Sequence, residues 1–211
     1  MNVIFDLDGT LLNTIDDLGY ACNYALAQTG YPSHSIDAYP AKVGNGINNL
    51  IRRALPESER TEENILRVRE HFVPYYDAHN CDYTHPYEGI PELLAALKTQ
   101  GHRLAVASNK YQAATEKIVS HFFPGVFDVI LGERAGVERK PDPQIVYDIR
   151  AMLPGNVLYV GDSLVDRDTA RNADVPFIAC SWGFAPYQRL ADEGVPVIVN
   201  RPKDILRYVT A

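Results

Sequence analysis

The sequence predicts an α/β protein: a parallel β-sheet covered by helices on both faces, with an all-helical segment inserted after the first strand. Three observations carry this expectation. Short apolar runs alternate with helix-periodic stretches over short connections. Runs such as Val157-Leu158-Tyr159-Val160 are continuously apolar, which suits strands buried on both faces. The strand rhythm stops at Thr14 and resumes after His85, separating a core of residues 1–13 and 86–211 from an insert of residues 14–85.

The expected strands are Asn2–Phe5, Arg103–Ala107, Val126–Leu131, Asn156–Val160 and Pro176–Ala179, with a weaker one at Val195–Val199. Between them, Glu92–Lys98, Ala113–Phe122, Asp142–Met152 and Val165–Ala173 have helical character. In the insert, Thr14 can cap a helix with Asp17 three residues on. Ile15, Leu18, Cys22, Ala25 and Leu26 share one face of that helix until Gly30 stops it. Further helical patterns cover Ile47–Leu55 and Glu62–Tyr76, separated by Pro56. Pro86-Tyr87-Glu88-Gly89 falls where the chain returns from insert to core. Tyr75, Tyr76, Tyr83 and Tyr87 read as core and hinge packing; Trp182-Gly183-Phe184 can line the site or fill the core, and core filling is the favoured reading.

A chain of 211 residues accommodates a core domain plus a smaller insert. Hydrophobic residues make up 46% and charged residues 22%, proportions that allow a proper buried core. The net charge of −7 argues against nucleic acid as a partner, since that would call for a basic patch. An acidic chain that binds an anion must supply local positive charge from a metal, a lysine or backbone N–H groups. Cys22, Cys81 and Cys180 have no CxxC spacing and read as reduced thiols, the six histidines show no metal-ligand spacing, and the N-terminus does not resemble a signal peptide. No stretch approaches the roughly 18 apolar residues of a membrane span. The expectation is a soluble cytoplasmic protein.

Four polar clusters carry the chemistry. Asp6-Leu7-Asp8-Gly9-Thr10 ends the first strand, where ligands of open α/β sheets bind. Two carboxylates so close repel each other unless a cation holds them, which implies Mg²⁺. An EF-hand loop is ruled out because Leu11 stands where that loop needs Gly and a strand precedes it. Ser108 and Asn109 follow the strand Arg103–Ala107, where a hydroxyl and N–H groups can hold phosphate oxygens or merely cap a helix. Lys140 precedes Pro141-Asp142-Pro143 and can bridge a nucleophile and a phosphate, although that run also simply starts a helix. Gly161-Asp162-Ser163-Leu164-Val165-Asp166 offers a third metal-binding carboxylate in Asp162. One turn later, Asp166 can orient metal-bound water or Lys140, and a cap with acidic first-turn residues explains the same run. Each cluster alone has a bland explanation. That all four fall on one edge of a parallel sheet does not.

Together, Asp6-x-Asp8-Gly-Thr, Ser108, Lys140 and Gly161-Asp162-Ser-x-x-Asp166 resemble the haloacid dehalogenase superfamily over nearly the whole chain. The resemblance implies a Rossmann-like core with an all-helical cap inserted after the first strand. It implies Asp6 as a nucleophile forming an aspartyl-phosphate, and Asp8 as general acid–base that gives its backbone carbonyl to Mg²⁺. It further implies Ser108, with Thr10 and Asn109, at the phosphoryl oxygens, Lys140 as charge stabiliser, Asp162 as metal ligand and Asp166 in support. Because Asp8 is present, phosphate transfer rather than carbon–halogen cleavage is expected.

In the insert, Lys42-Val43-Gly44-Asn45-Gly46-Ile47-Asn48-Asn49-Leu50 can approach an anion at a helix start or serve as a simple turn. The segment is similar to the cap loop of phosphoglycolate phosphatases, which implies 2-phosphoglycolate as substrate, with Lys42 and Asn45 near it and Arg52 and Arg53 as further candidate cations. A sugar-phosphate mutase and a pyrophosphatase of the same superfamily share the core residues and stand as alternatives. A receiver module would lack the insert and the Asp-x-Asp pair. The expected partner is a small phosphorylated metabolite, and the expected assembly a monomer or homodimer.

Overall fold

The computed structural model describes residues 1–209. In chain order its strands are β1 (Asn2–Phe5), β2 (Leu12–Asn13), β3 (His85–Pro86), β4 (Arg103–Tyr111), β5 (Val129–Glu133), β6 (Val157–Gly161), β7 (Phe177–Cys180) and β8 (Ile198–Val199). Its helices are α1 (Ile15–Gln28), α2 (Ile47–Ala54), α3 (Glu62–His79), α4 (Ile90–Thr99), α5 (Gln112–Phe122), α6 (Gln144–Met152), α7 (Leu164–Asn172) and α8 (Tyr187–Asp192). The chain divides into two compact units, Thr14–His85 and the remainder.

The larger unit holds a six-stranded parallel sheet in the order β5-β4-β1-β6-β7-β8. β1 is central and continuously buried, which explains the unbroken apolar run Val3-Ile4-Phe5. One face packs Ile4, Ala105 and Tyr159 against Ile145, Val146 and Ile149 of α6. The chain builds β4 and β5 on one side of β1, then crosses back to build β6, β7 and β8 on the other. This reversal opens a crevice beyond the carboxyl ends of β1, β4 and β6.

Several boundaries differ from the sequence expectation. β4 runs to Tyr111 rather than ending at Ala107, because it bulges against β5 and pairs again at Tyr111. β5 starts at Val129 rather than Val126, and α6 starts at Gln144 with Pro143 at its N-cap. The helix α8 and a 3₁₀ helix at Pro202–Tyr208 were not foreseen; one is short and the other is not α-helical, so neither has a strong period.

In the smaller unit, α1 packs against α3. Leu18, Cys22, Ala25 and Leu26 are buried on one, and Ile65, Val68, Phe72 and Tyr76 on the other. Thr14 sits at the N-cap of α1 but makes no side-chain capping bond. Asp17 is drawn elsewhere: its carboxylate accepts from Tyr83 N (3.0 Å), Thr84 N (2.9 Å) and Thr84 Oγ1 (2.7 Å). That clamp holds the segment by its main chain, so Tyr83 is 58% exposed and tilts against Tyr20 instead of filling a core. Among the described residues, no helix is long and apolar enough to cross a membrane.

Candidate active site

Asp6 leaves β1 with its N–H donating to Val160 O at 2.9 Å. The register pairing Phe5 with Val106 and Val160 brings the next residues, Ala107 and Gly161, alongside Asp6. Lys140 reaches this row from the segment between β5 and α6. Its buried Nζ donates to Asp6 Oδ1 (2.8 Å), Asp166 Oδ1 (2.7 Å) and Ala107 O (2.8 Å). An ammonium has three protons, and these three acceptors use them. Tyr159 Oη lies 3.2 Å away and completes the shell. Asn109 fixes the Lys140 backbone from both sides, donating to Lys140 O at 3.1 Å and accepting from Lys140 N at 2.9 Å.

Asp166 has two tasks. While Oδ1 meets Lys140, Oδ2 accepts from Ser163 Oγ (2.5 Å) and Ser163 N (3.2 Å), and Ser163 Oγ in turn accepts from Asp166 N, forming a capping box on α7. The motif therefore caps α7 and at the same time contacts Lys140. Gly161 is required by close packing: a Cβ there would lie 2.4 Å from Asp166 Cγ. Asp162 Oδ2 accepts from Phe184 N at 2.7 Å, so the loop after β7 supports it. Trp182, expected in the core, is half-buried and donates from Nε1 to Thr10 O at 3.0 Å. Thr10 is wholly buried, its hydroxyl 3.9 Å from Cys180 Sγ. Ser108 is buried, and its Oγ accepts from Lys110 N at 3.1 Å. The Asp8 carboxylate pairs with Lys110, Nζ to Oδ1 being 3.1 Å.

The charges are unbalanced. Carboxylate oxygens of Asp6, Asp162 and Asp166 lie within 4.8 Å of one another. Burial, reinforced by Asp166, pushes the Asp6 carboxyl well above its usual range against the pull of Lys140. The same two causes raise Asp162 to about 7. Lys140 is disfavoured by burial, yet Asp166 and Asp6 outweigh that and hold it protonated. A buried, all-oxygen donor set with more negative charge than one lysine neutralises fits a hard divalent cation. Asp6 and Asp162 could hold it by their side chains, while both oxygens of Asp166 are already hydrogen-bonded.

In the smaller unit, the loop before α2 is held from within. Arg53 donates to the carbonyls of Lys42 (2.9 Å), Val43 (3.2 Å) and Gly44 (2.9 Å), and Lys42 Nζ lies 3.3 Å from Arg53 O. Arg52 meets Asn49 Oδ1 at 2.6 Å and Glu62 at 3.4 Å. Both arginines thus have structural partners. Asn45 has φ 64°, and its buried Oδ1 has no hydrogen-bond partner. Sequence reasoning gave no task to Lys110, Tyr159 or the Phe184 N–H. For Lys110 a signal existed, since a lysine follows Ser108-Asn109 directly; the other two depend on packing alone.

Residues 3–180 match the family model of haloacid dehalogenase-like hydrolases. A phosphoglycolate phosphatase of Cereibacter sphaeroides is 35% identical, with 99% of each chain covered. One from Aquifex aeolicus is 31% identical over 98% of this chain and 95% of its own. The crystal structure of a candidate phosphoglycolate phosphatase from Lactobacillus delbrueckii subsp. bulgaricus superposes with a TM-score of 0.93 at 34% identity, covering 100% of this chain and 98% of the other.

Proposed function

The chain belongs to the haloacid dehalogenase-like hydrolase family and is a phosphoric monoester hydrolase; we propose that it uses Mg²⁺ to hydrolyse 2-phosphoglycolate through an aspartyl-phosphate on Asp6. The observation that carries this reading is Lys140, clamped between Asp6 and Asp166 beside a third buried carboxylate, Asp162. The names of the full-length relatives support the substrate.

Asp6, Asp162 and the main-chain carbonyl of Asp8 would hold Mg²⁺, which supplies positive charge to the phosphate oxygens and the crowded carboxylates. Lys140 pulls Asp6 toward its ionised form against burial and the neighbouring carboxylates, and it offsets charge on the transferring group. Asp6 attacks phosphorus, the ester P–O bond breaks, and Asp8 gives its proton to the departing alkoxide. Asp8 then takes a proton from water as the water oxygen attacks phosphorus, releasing phosphate and restoring Asp6. Ser108 donates to a phosphoryl oxygen, and Asn109 and Thr10 hold the frame around it. Lys42 and Asn45 read the substrate's carboxylate end.

The test is inorganic phosphate release from 2-phosphoglycolate with Mg²⁺, beside isomerisation of a hexose 1-phosphate. Phosphate release without isomerisation is expected, with a raised KM in Lys42→Ala. Isomerisation, or hydrolysis of other esters but not 2-phosphoglycolate, would overturn the assignment.

A further inference from the structure

Two lysines, one for each carboxylate, meet the Asp6–Asp8 pair. Lys140 serves Asp6; Lys110 Nζ stands 3.1 Å from Asp8 Oδ1, with its side chain only 4% exposed. The bulge in β4 puts it there. Pairing runs Ala107 with Leu131 and then Tyr111 with Glu133, so Ser108, Asn109 and Lys110 together face Gly132. Side-chain hydroxyls lock the main chain of the bulge: Lys110 N donates to Ser108 Oγ, and Lys110 O accepts from Thr115 Oγ1, both at 3.1 Å. No side chain fits opposite it, since a Cβ on Gly132 would lie 2.5 Å from Lys110 O. The reach from Lys110 to Asp8 is therefore preset by backbone.

We propose that Lys110 is the positioning residue for Asp8: its ammonium holds the Asp8 carboxylate in the orientation that passes a proton to the leaving alkoxide and later accepts one from water. The inference rests on the acid–base reading of Asp8 above. A cation at Oδ1 steers the carboxylate so that its other oxygen faces the reacting groups.

The experiment compares Lys110→Met with wild type on 2-phosphoglycolate and on p-nitrophenyl phosphate, both with Mg²⁺. The alkoxide needs a proton to leave; the nitrophenolate does not. Lys110→Met is expected to lower kcat on 2-phosphoglycolate about 10²-fold with little change in KM. On p-nitrophenyl phosphate it is expected to give a burst of nitrophenolate approaching about one equivalent per site, followed by slow turnover, because only the second displacement still needs Asp8. Equal losses on both substrates without a burst, or a raised KM with kcat intact, would overturn the proposal. Lys110→Gln carries the same test if the methionine variant does not fold. Asp8→Asn separates the two claims: wild-type turnover of 2-phosphoglycolate in that variant removes the acid–base reading itself, whatever Lys110 does.

Discussion

Asp166 Oδ1 lies 2.7 Å from Lys140 Nζ, and neither side chain is more than 3% exposed. Such a pair is sensitive to losing one partner, because the other charge is then left buried and uncompensated. Here the consequence is larger than usual, since Lys140 also faces Asp6.

Lys140→Met is accordingly expected to destabilise the fold by about 3 kcal/mol or more as well as to abolish turnover. Urea unfolding measures the first, and a loss below about 1 kcal/mol would show that the carboxylates simply take up protons instead.

The two tasks of Asp166 can be separated. Ser163→Ala removes the cap of α7 and leaves the Lys140 contact, so about 1 kcal/mol of stability is expected to go while most activity stays. Asp166→Ala removes both and should reduce kcat by a further factor of about 10². Similar kcat values for the two variants would mean that the Lys140 contact contributes nothing to the reaction.

Crowding of Asp6 and Asp162 implies that a divalent cation stabilises the native state. Free Mg²⁺ at 100 times its Kd is expected to add about 2.7 kcal/mol, seen as a raised Tm that EDTA reverses. In Asp162→Asn the increment should shrink. A Tm indifferent to Mg²⁺ in the unmodified protein would count against the metal assignment.

Asp128 offers a pH test away from the site. Burial raises its carboxyl, but the Leu104 N–H at 2.8 Å and Lys98 at 3.1 Å outweigh that and hold it below the usual value. A depressed folded value means that its stabilisation is complete above the unfolded value of about 3.9 and is lost as pH falls through the folded one. The stability difference between wild type and Asp128→Asn should thus be constant near neutrality and shrink below about pH 4. A difference that instead grew on acidification would contradict the sign.

Much of the site was legible because its chemistry is local. Asp6, Asp8, Asp162 and Asp166 stand in short motifs immediately after strands whose apolar runs are unmistakable, and the parallel register then brings those strand ends together. What escaped was set by pairing between distant segments. The β4 bulge depends on Gly132 of β5, so the strand looked finished at Ala107 and Lys110 received no partner. Asp17 looked like part of a helix cap because its partners, Tyr83 and Thr84, are far along the chain. Trp182 looked like core because the carbonyl of Thr10, which accepts from it, leaves no mark in sequence.

The central claim is that Asp6 is the nucleophile. Acid quenching during turnover of 2-phosphoglycolate, followed by peptide mass spectrometry, measures it directly. The expected result is a phosphate adduct on the peptide carrying Asp6, absent in a folded, inactive Asp6→Asn variant. Full turnover by Asp6→Asn with unaltered metal dependence would contradict it.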